Sequence, residues 1–113
     1  MGDVIPLSGR RRRARKRIYF TRADLSGLMQ LYSRRVASGE WRDYAIDHQP
    51  GLAAFSIFRH SSERPLYVIA KTAENGGSGG EWLVYHGPRR LKKARSLAEA
   101  LTAFDREVRL ISS

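Results

Sequence analysis

Residues 39–71, GEWRDYAIDHQPGLAAFSIFRHSSERPLYVIAK, decide the fold. Three runs rich in aromatic and β-branched residues are separated by Gln49-Pro50-Gly51 and by the polar stretch from His60 to Pro65. Runs of that composition bounded by turn residues read as strands, and their short spacing makes them an antiparallel meander. In the first run Tyr44 and Ile46 share the face expected to be core, opposite Trp41, Asp43, Ala45 and Asp47. Pro50-Gly51 suits the centre of a type II turn. The second run sets Phe55 and Ile57 against Ala54, Ser56 and Phe58. The third is apolar on both sides, with Leu66, Val68 and Ala70 against Tyr67 and Ile69. Such a run suits a central strand, or a sheet whose second face is also covered.

Upstream, Thr21 and Asp24 form a capping box and Phe20 with Leu25 a hydrophobic staple, so a helix starts after Thr21. Leu25, Leu28, Met29, Tyr32 and Val36 give it one apolar stripe, with Arg22, Arg34 and Arg35 largely off that face. Gly39 closes the helix, and Ile18 to Phe20 read as a short edge strand before it. Downstream, the loop ENGGSGG at 74–80 lacks both the Gly-Lys-Ser/Thr ending and the directly following helix of a phosphate-cradling loop. Trp82 to His86 read as a fourth strand, Gly87-Pro88 as a turn and Arg89 to Ala94 as a fifth, basic strand. Ser96 and Glu99 make a second capping box, after which Leu97, Ala100, Leu101, Phe104 and Val108 carry an apolar stripe to about Leu110. The expected architecture is α+β: an antiparallel sheet of four to five strands, with an N-terminal and a C-terminal helix packed on one face. It occupies residues 18–111 as a single domain, preceded by a disordered basic arm at residues 1–17.

Lys and Arg number 21 against 11 acids, a net charge of +10. Seven of these cations (Arg10, Arg11, Arg12, Arg13, Arg15, Lys16 and Arg17) stand within eight residues, dense enough to keep the segment extended by self-repulsion. Without them about +3 remains, and without Arg89, Arg90, Lys92, Lys93 and Arg95 about −2. Two basic clusters on an otherwise balanced domain point to a polyanionic partner. Cysteine is absent, which removes thiol chemistry and thiolate metal sites and fits a reducing compartment. No apolar run approaches the roughly 18 to 20 residues of a membrane span, and the N-terminus is charged where a signal peptide is apolar. A cytoplasmic protein is expected.

Arg17-Ile18-Tyr19-Phe20 with Arg22 and Leu25, the block Gly39 to Asp47 (GEWRDYAID), Phe55 to Arg59, and Pro65-Leu66-Tyr67 with Lys71 carry a family resemblance. Over about residues 17 to 110 the chain resembles a family of small alphaproteobacterial proteins catalogued only as a domain of unknown function. The resemblance implies a bacterial cytoplasmic single domain and contributes no catalytic residue.

Function is expected to follow the charge. The arginine-rich arm and the 89–95 cluster can each bond several phosphates, releasing counterions and adding affinity that does not depend on sequence. Nucleic acid is the expected partner, RNA ahead of DNA. Basic residues before a final helix also resemble the phosphate-binding lysines of double-stranded RNA-binding domains, although those domains have three strands. No catalytic constellation is visible. Asp43 and Asp47 share a strand face about 13 to 14 Å apart, too far for a carboxylate dyad, and are expected to pair with arginines such as Arg42 or Arg59. His48, His60 and His86 lack metal-ligand spacing, so neither a metal nor a cofactor is expected. The alternative to nucleic-acid binding is an interaction adaptor. It would be a homodimer or bind an acidic protein, using an outer sheet face that shows Trp41, Phe58, Tyr67 and Trp82.

Overall fold

A computed structural model describes residues 18–60, 64–73 and 80–112, with side chains to residue 105, and the expected arm at 1–17 lies outside them. The elements are α1 (Arg22–Ala37), β1 (Asp43–Gln49), β2 (Leu52–Phe58), β3 (Tyr67–Thr72), β4 (Glu81–His86), β5 (Arg89–Ala94) and α2 (Leu97–Ser112). The strands form one antiparallel sheet in chain order, with β1 and β5 at its edges. Both helices pack on one face, over Phe55, Ile57, Ile69 and Val84, none of which has any exposed surface. Among the described residues no helix is long and apolar enough to cross a membrane.

The local chemistry of α1 is complete. The Thr21 hydroxyl accepts the Asp24 N–H at 3.0 Å, and the Asp24 carboxylate accepts the Thr21 N–H at 2.9 Å. Gly39 leaves the helix at φ 83°, the left-handed conformation a residue without Cβ adopts at no steric cost. Ile18 to Phe20, however, do not pair as a strand. Phe20 instead enters the core on the helix side, stacked on Trp82 with ring centroids 5.9 Å apart.

The stripe of α1 is rolled from the expected phase. Leu28, Leu31 and Arg35 are buried, Leu25, Met29 and Tyr32 flank them, and Val36 is exposed. Arg35, expected off the apolar face, lies between the helices. Its guanidinium donates to Glu40 Oε1 at 2.9 Å and to the Phe104 carbonyl at 3.0 Å, and sits 5.1 Å from the Trp41 ring centroid. A long apolar stem ending in a planar fork can take a core position when the fork finds partners of that kind.

Three of the four residues expected on the outer sheet face belong to the core. Trp41 is buried because it precedes β1 and is placed by the end of α1: the N–H groups of Glu40 and Trp41 both point to the Arg35 carbonyl. Strand alternation therefore does not govern it, and its ring packs against Tyr67 and Phe104. Tyr67 stands opposite Ile57, and Trp82 opposite Lys71, which puts both on the helix-side face. Phe58 alone of the four is on the open face, opposite Asp43. Tyr44 and Ile46 do lie on the helix side, opposite Ile57 and Phe55, but on an edge strand they remain 38% and 40% exposed.

By register, the open face carries Asp43, Ala45 and Asp47 on β1, then Leu52, Ala54, Ser56 and Phe58 on β2. It continues with Val68, Ala70 and Thr72 on β3, Glu81, Leu83 and Tyr85 on β4, and Arg90 and Lys93 on β5, while Gln49 stands opposite Leu52 at the far end of β1. Its β1 rim carries Asp43 and Asp47 and its β5 rim Arg90 and Lys93, with Glu81 beside Lys93 as a single acid on the basic side.

Candidate nucleic-acid interface

The basic run near the C-terminus is an edge strand and its junction with α2. Strand alternation divides it: Arg90 and Lys93 stand opposite Tyr85 and Leu83 on the open face, Arg89 and Lys92 opposite His86 and Val84 on the helix side. The register slips between Val84 and Tyr85, leaving Leu91 without a partner residue. Such a bulge re-aims one side chain, and here it lets Leu91 pack against the core while Arg90 keeps to the open face. Lys93 reaches Glu81 at 3.2 Å; among the described residues none of the other four cations of this run has an ion pair.

Arg95 occupies the joint between β5 and α2. Its N–H donates to the Glu99 carboxylate at 3.1 Å, and the Ser96 hydroxyl accepts the Glu99 N–H at 3.1 Å. The second capping box is thus stretched by one residue, since Glu99 reaches past the N-cap to Arg95. The Arg95 side chain is exposed beside this fixed backbone.

Folding adds cations that the linear sequence keeps apart. β1, β3 and β5 start, and β2 and β4 end, at the same end of the sheet. Arg42 enters there with its N–H on the Phe58 carbonyl at 2.9 Å. Arg59, His60, Arg64 and His86 line a shallow groove of about 330 Å³ beside it, together with Pro65, Leu66 and Gly87. Arg89 and Arg90 follow directly across the β4–β5 turn. Five strands at about 4.8 Å spacing make this rim about 19 Å wide. Reading in sequence order did not bring Arg42, Arg59, His60, Arg64 and His86 together as candidates. The available signal was that each flanks a strand boundary, and in a meander alternate boundaries meet.

The carboxylates nearby do not neutralise the rim in the manner expected. Asp43 accepts the Tyr44 N–H at 2.8 Å and Asp47 the Gln49 side-chain amide at 2.6 Å. Among the described residues neither pairs with Arg42, Arg59 or another cation. Glu40 is engaged by Arg35 at 2.9 Å. No group of three or more metal-ligating side chains occurs among the described residues. The other half of the expected site, Arg10 to Arg17, lies outside them.

A family model described as a protein of unknown function, DUF2794, matches residues 18–101. The chain belongs to this family. The match spans α1, the whole sheet and the first residues of α2. It stops short of the arm. No curated protein and no solved structure matches the chain.

Proposed function

We propose that this protein is a non-enzymatic binding module that holds nucleic acid, RNA ahead of DNA, by its phosphates. The observation that carries the reading is the convergence of Arg42, Arg59, His60, Arg64, His86, Arg89 and Arg90 on one end of the sheet, continued along β5 to Lys92 and Arg95. Arginine forks bond phosphate oxygens in pairs, and a rim about 19 Å wide reaches several phosphates of one strand. The fixed charge of this rim comes from its five arginines, Arg42, Arg59, Arg64, Arg89 and Arg90, and contacts of that kind to phosphate position a backbone without reading bases. The arm would extend the same contact, and a cytoplasmic location would give access to RNA.

The test is binding of fluorescent duplex RNA, single-stranded RNA and duplex DNA across a salt titration. The proteins compared are full-length chain, a variant lacking residues 10–17, and the triple variant Arg89→Ala, Lys92→Ala, Arg95→Ala. Each lost phosphate contact lowers the log-log salt slope by roughly 0.7 to 0.9, so the triple variant is expected to lose about two units. Unchanged slopes in both variants, or no binding of any polymer near 50 mM salt, would refute the reading.

A further inference from the structure

We propose that the open face of the sheet seats a second copy of this chain, stacked face to face about a two-fold axis parallel to the strands. This inference uses the face opposite the helices and shares Arg90 and Lys93 with the nucleic-acid reading, so the two are separated by variants that leave the other cations of β5 in place.

The register supplies the argument. One row across the open face runs Asp47, Ala54, Ala70, Leu83, Lys93, acid at the β1 rim and base at the β5 rim with small or apolar residues between. Asp43 and Arg90 repeat the same polarity toward the other end of the strands. A closed dimer of two such faces must be isologous, and its axis must lie in the plane between the sheets. Two orientations keep the strands aligned. With the axis perpendicular to the strands, each β1 lies over the partner's β1, and acid meets acid. With the axis parallel to the strands, each β1 lies over the partner's β5 and the rows stay in step. Asp47 then faces Lys93 of the partner subunit, and Arg90 of the partner subunit lies over Ala45, one same-face position along β1 from Asp43, about 7 Å and within reach of the arginine's long side chain. Charge therefore selects the parallel axis, as like-charge juxtaposition excludes the other.

The rest of the face fits a sheet partner. Ala54 and Ala70 leave its middle flat, allowing the sheets to approach to about 10 Å, a gap that a lysine and an aspartate span at the rims. Lys93 already meets Glu81 of its own chain at 3.2 Å, and its ammonium has donors left for a second carboxylate. A face about 19 Å wide and about 20 Å long is smaller than a standard specific interface, so association should be weak and depend on concentration in the upper micromolar range.

Sedimentation velocity of the full chain, from about 5 µM to about 500 µM, reads the dimer directly. Asp47→Lys alone and Lys93→Asp alone are each expected to raise the dissociation constant about tenfold or more, and the two together to restore it to within about threefold. Asp43→Lys with Arg90→Glu gives the same cycle away from Glu81, and therefore decides the matter if Lys93→Asp proves poorly folded by circular dichroism. Val68→Glu, close to the axis, should abolish association. A monomer throughout the concentration range overturns the proposal. So does a dimer indifferent to these substitutions, or one whose paired reversals fail to restore it, since another surface would then be in use. Arg89, Lys92 and Arg95 are unaltered in all these variants, so failure here leaves the salt-slope test intact.

Discussion

Lys71, on the helix-side face of the middle strand, places its ammonium 2.7 Å from the Asp24 carboxylate that caps α1, and 3.1 Å from the Tyr19 carbonyl. One side chain thus joins the centre of the sheet to the start of the first helix. Both partners are largely removed from solvent, with side-chain exposures of 17% and 15%.

Burial raises the pKa of the Asp24 carboxyl, but the hydrogen bonds and charge of Lys71 with the bonds of Thr21 outweigh it, holding the group below its ordinary 3.8. A carboxyl with a depressed folded-state pKa contributes stability that is present above the unfolded value and lost as pH falls through the folded one. Asp24→Asn keeps an oxygen for the cap and removes the charge. It is expected to lower stability by about 1 to 2 kcal/mol at pH 7, with the deficit shrinking at acid pH as the carboxyl is protonated through its depressed folded-state pKa. Urea unfolding of both proteins at neutral and at acid pH checks this.

Lys71→Met leaves the Asp24 carboxylate without its cation and should cost about 2 to 3 kcal/mol at neutral pH. The double variant Lys71→Met, Asp24→Asn should cost less than the two single losses added, because the unpaired charge is gone. Strict additivity would show that the pair contributes no coupling.

Arg35→Ala removes donors to Glu40 and to the Phe104 carbonyl and opens space beside Trp41, so a loss of about 3 kcal/mol or more is expected in denaturant unfolding. Arg35→Lys keeps the charge without the fork and should recover only part of that loss.

Gly80 precedes β4 at φ 67°, and a Cβ there would overlap the Thr72 carbonyl oxygen, a backbone atom that cannot swing aside. Gly80→Ala is therefore expected to destabilise by more than about 2 kcal/mol, through a displaced β3–β4 pairing as well as backbone strain. Thermal unfolding measures it.

Trp41→Ala should act on stability, by about 3 to 5 kcal/mol, since the ring is 2% exposed among Tyr67 and Phe104. Phe58→Ala, on the open face, should cost far less and change self-association instead. Chemical denaturation beside sedimentation separates the two effects.

The element types were legible because their causes are local. The Thr21–Asp24 cap, the Pro50-Gly51 turn and the alternation of Phe55 and Ile57 with Ala54, Ser56 and Phe58 each depend on residues a few positions apart. The basic character of β5 was legible for the same reason. The phase of Trp41 was not, because the hydrogen bonds at the end of α1 set it before strand alternation begins. Arg35 was misread because charge alone does not reveal that a carbonyl from α2, at Phe104, waits for its guanidinium.

The sequence by itself determined two helices flanking an antiparallel sheet of four to five strands, their order along the chain, and the neutral body bearing basic runs. Tertiary structure alone decided the roll of α1 that buries Leu31 and Arg35, and the side of the sheet to which Tyr67 and Trp82 belong. It also brought Arg42, Arg59, Arg64, His86 and Arg89 to one rim. The physical reason is that periodicity orients residues relative to one another within an element, whereas the side each element buries, and which distant residues meet, depend on packing between elements.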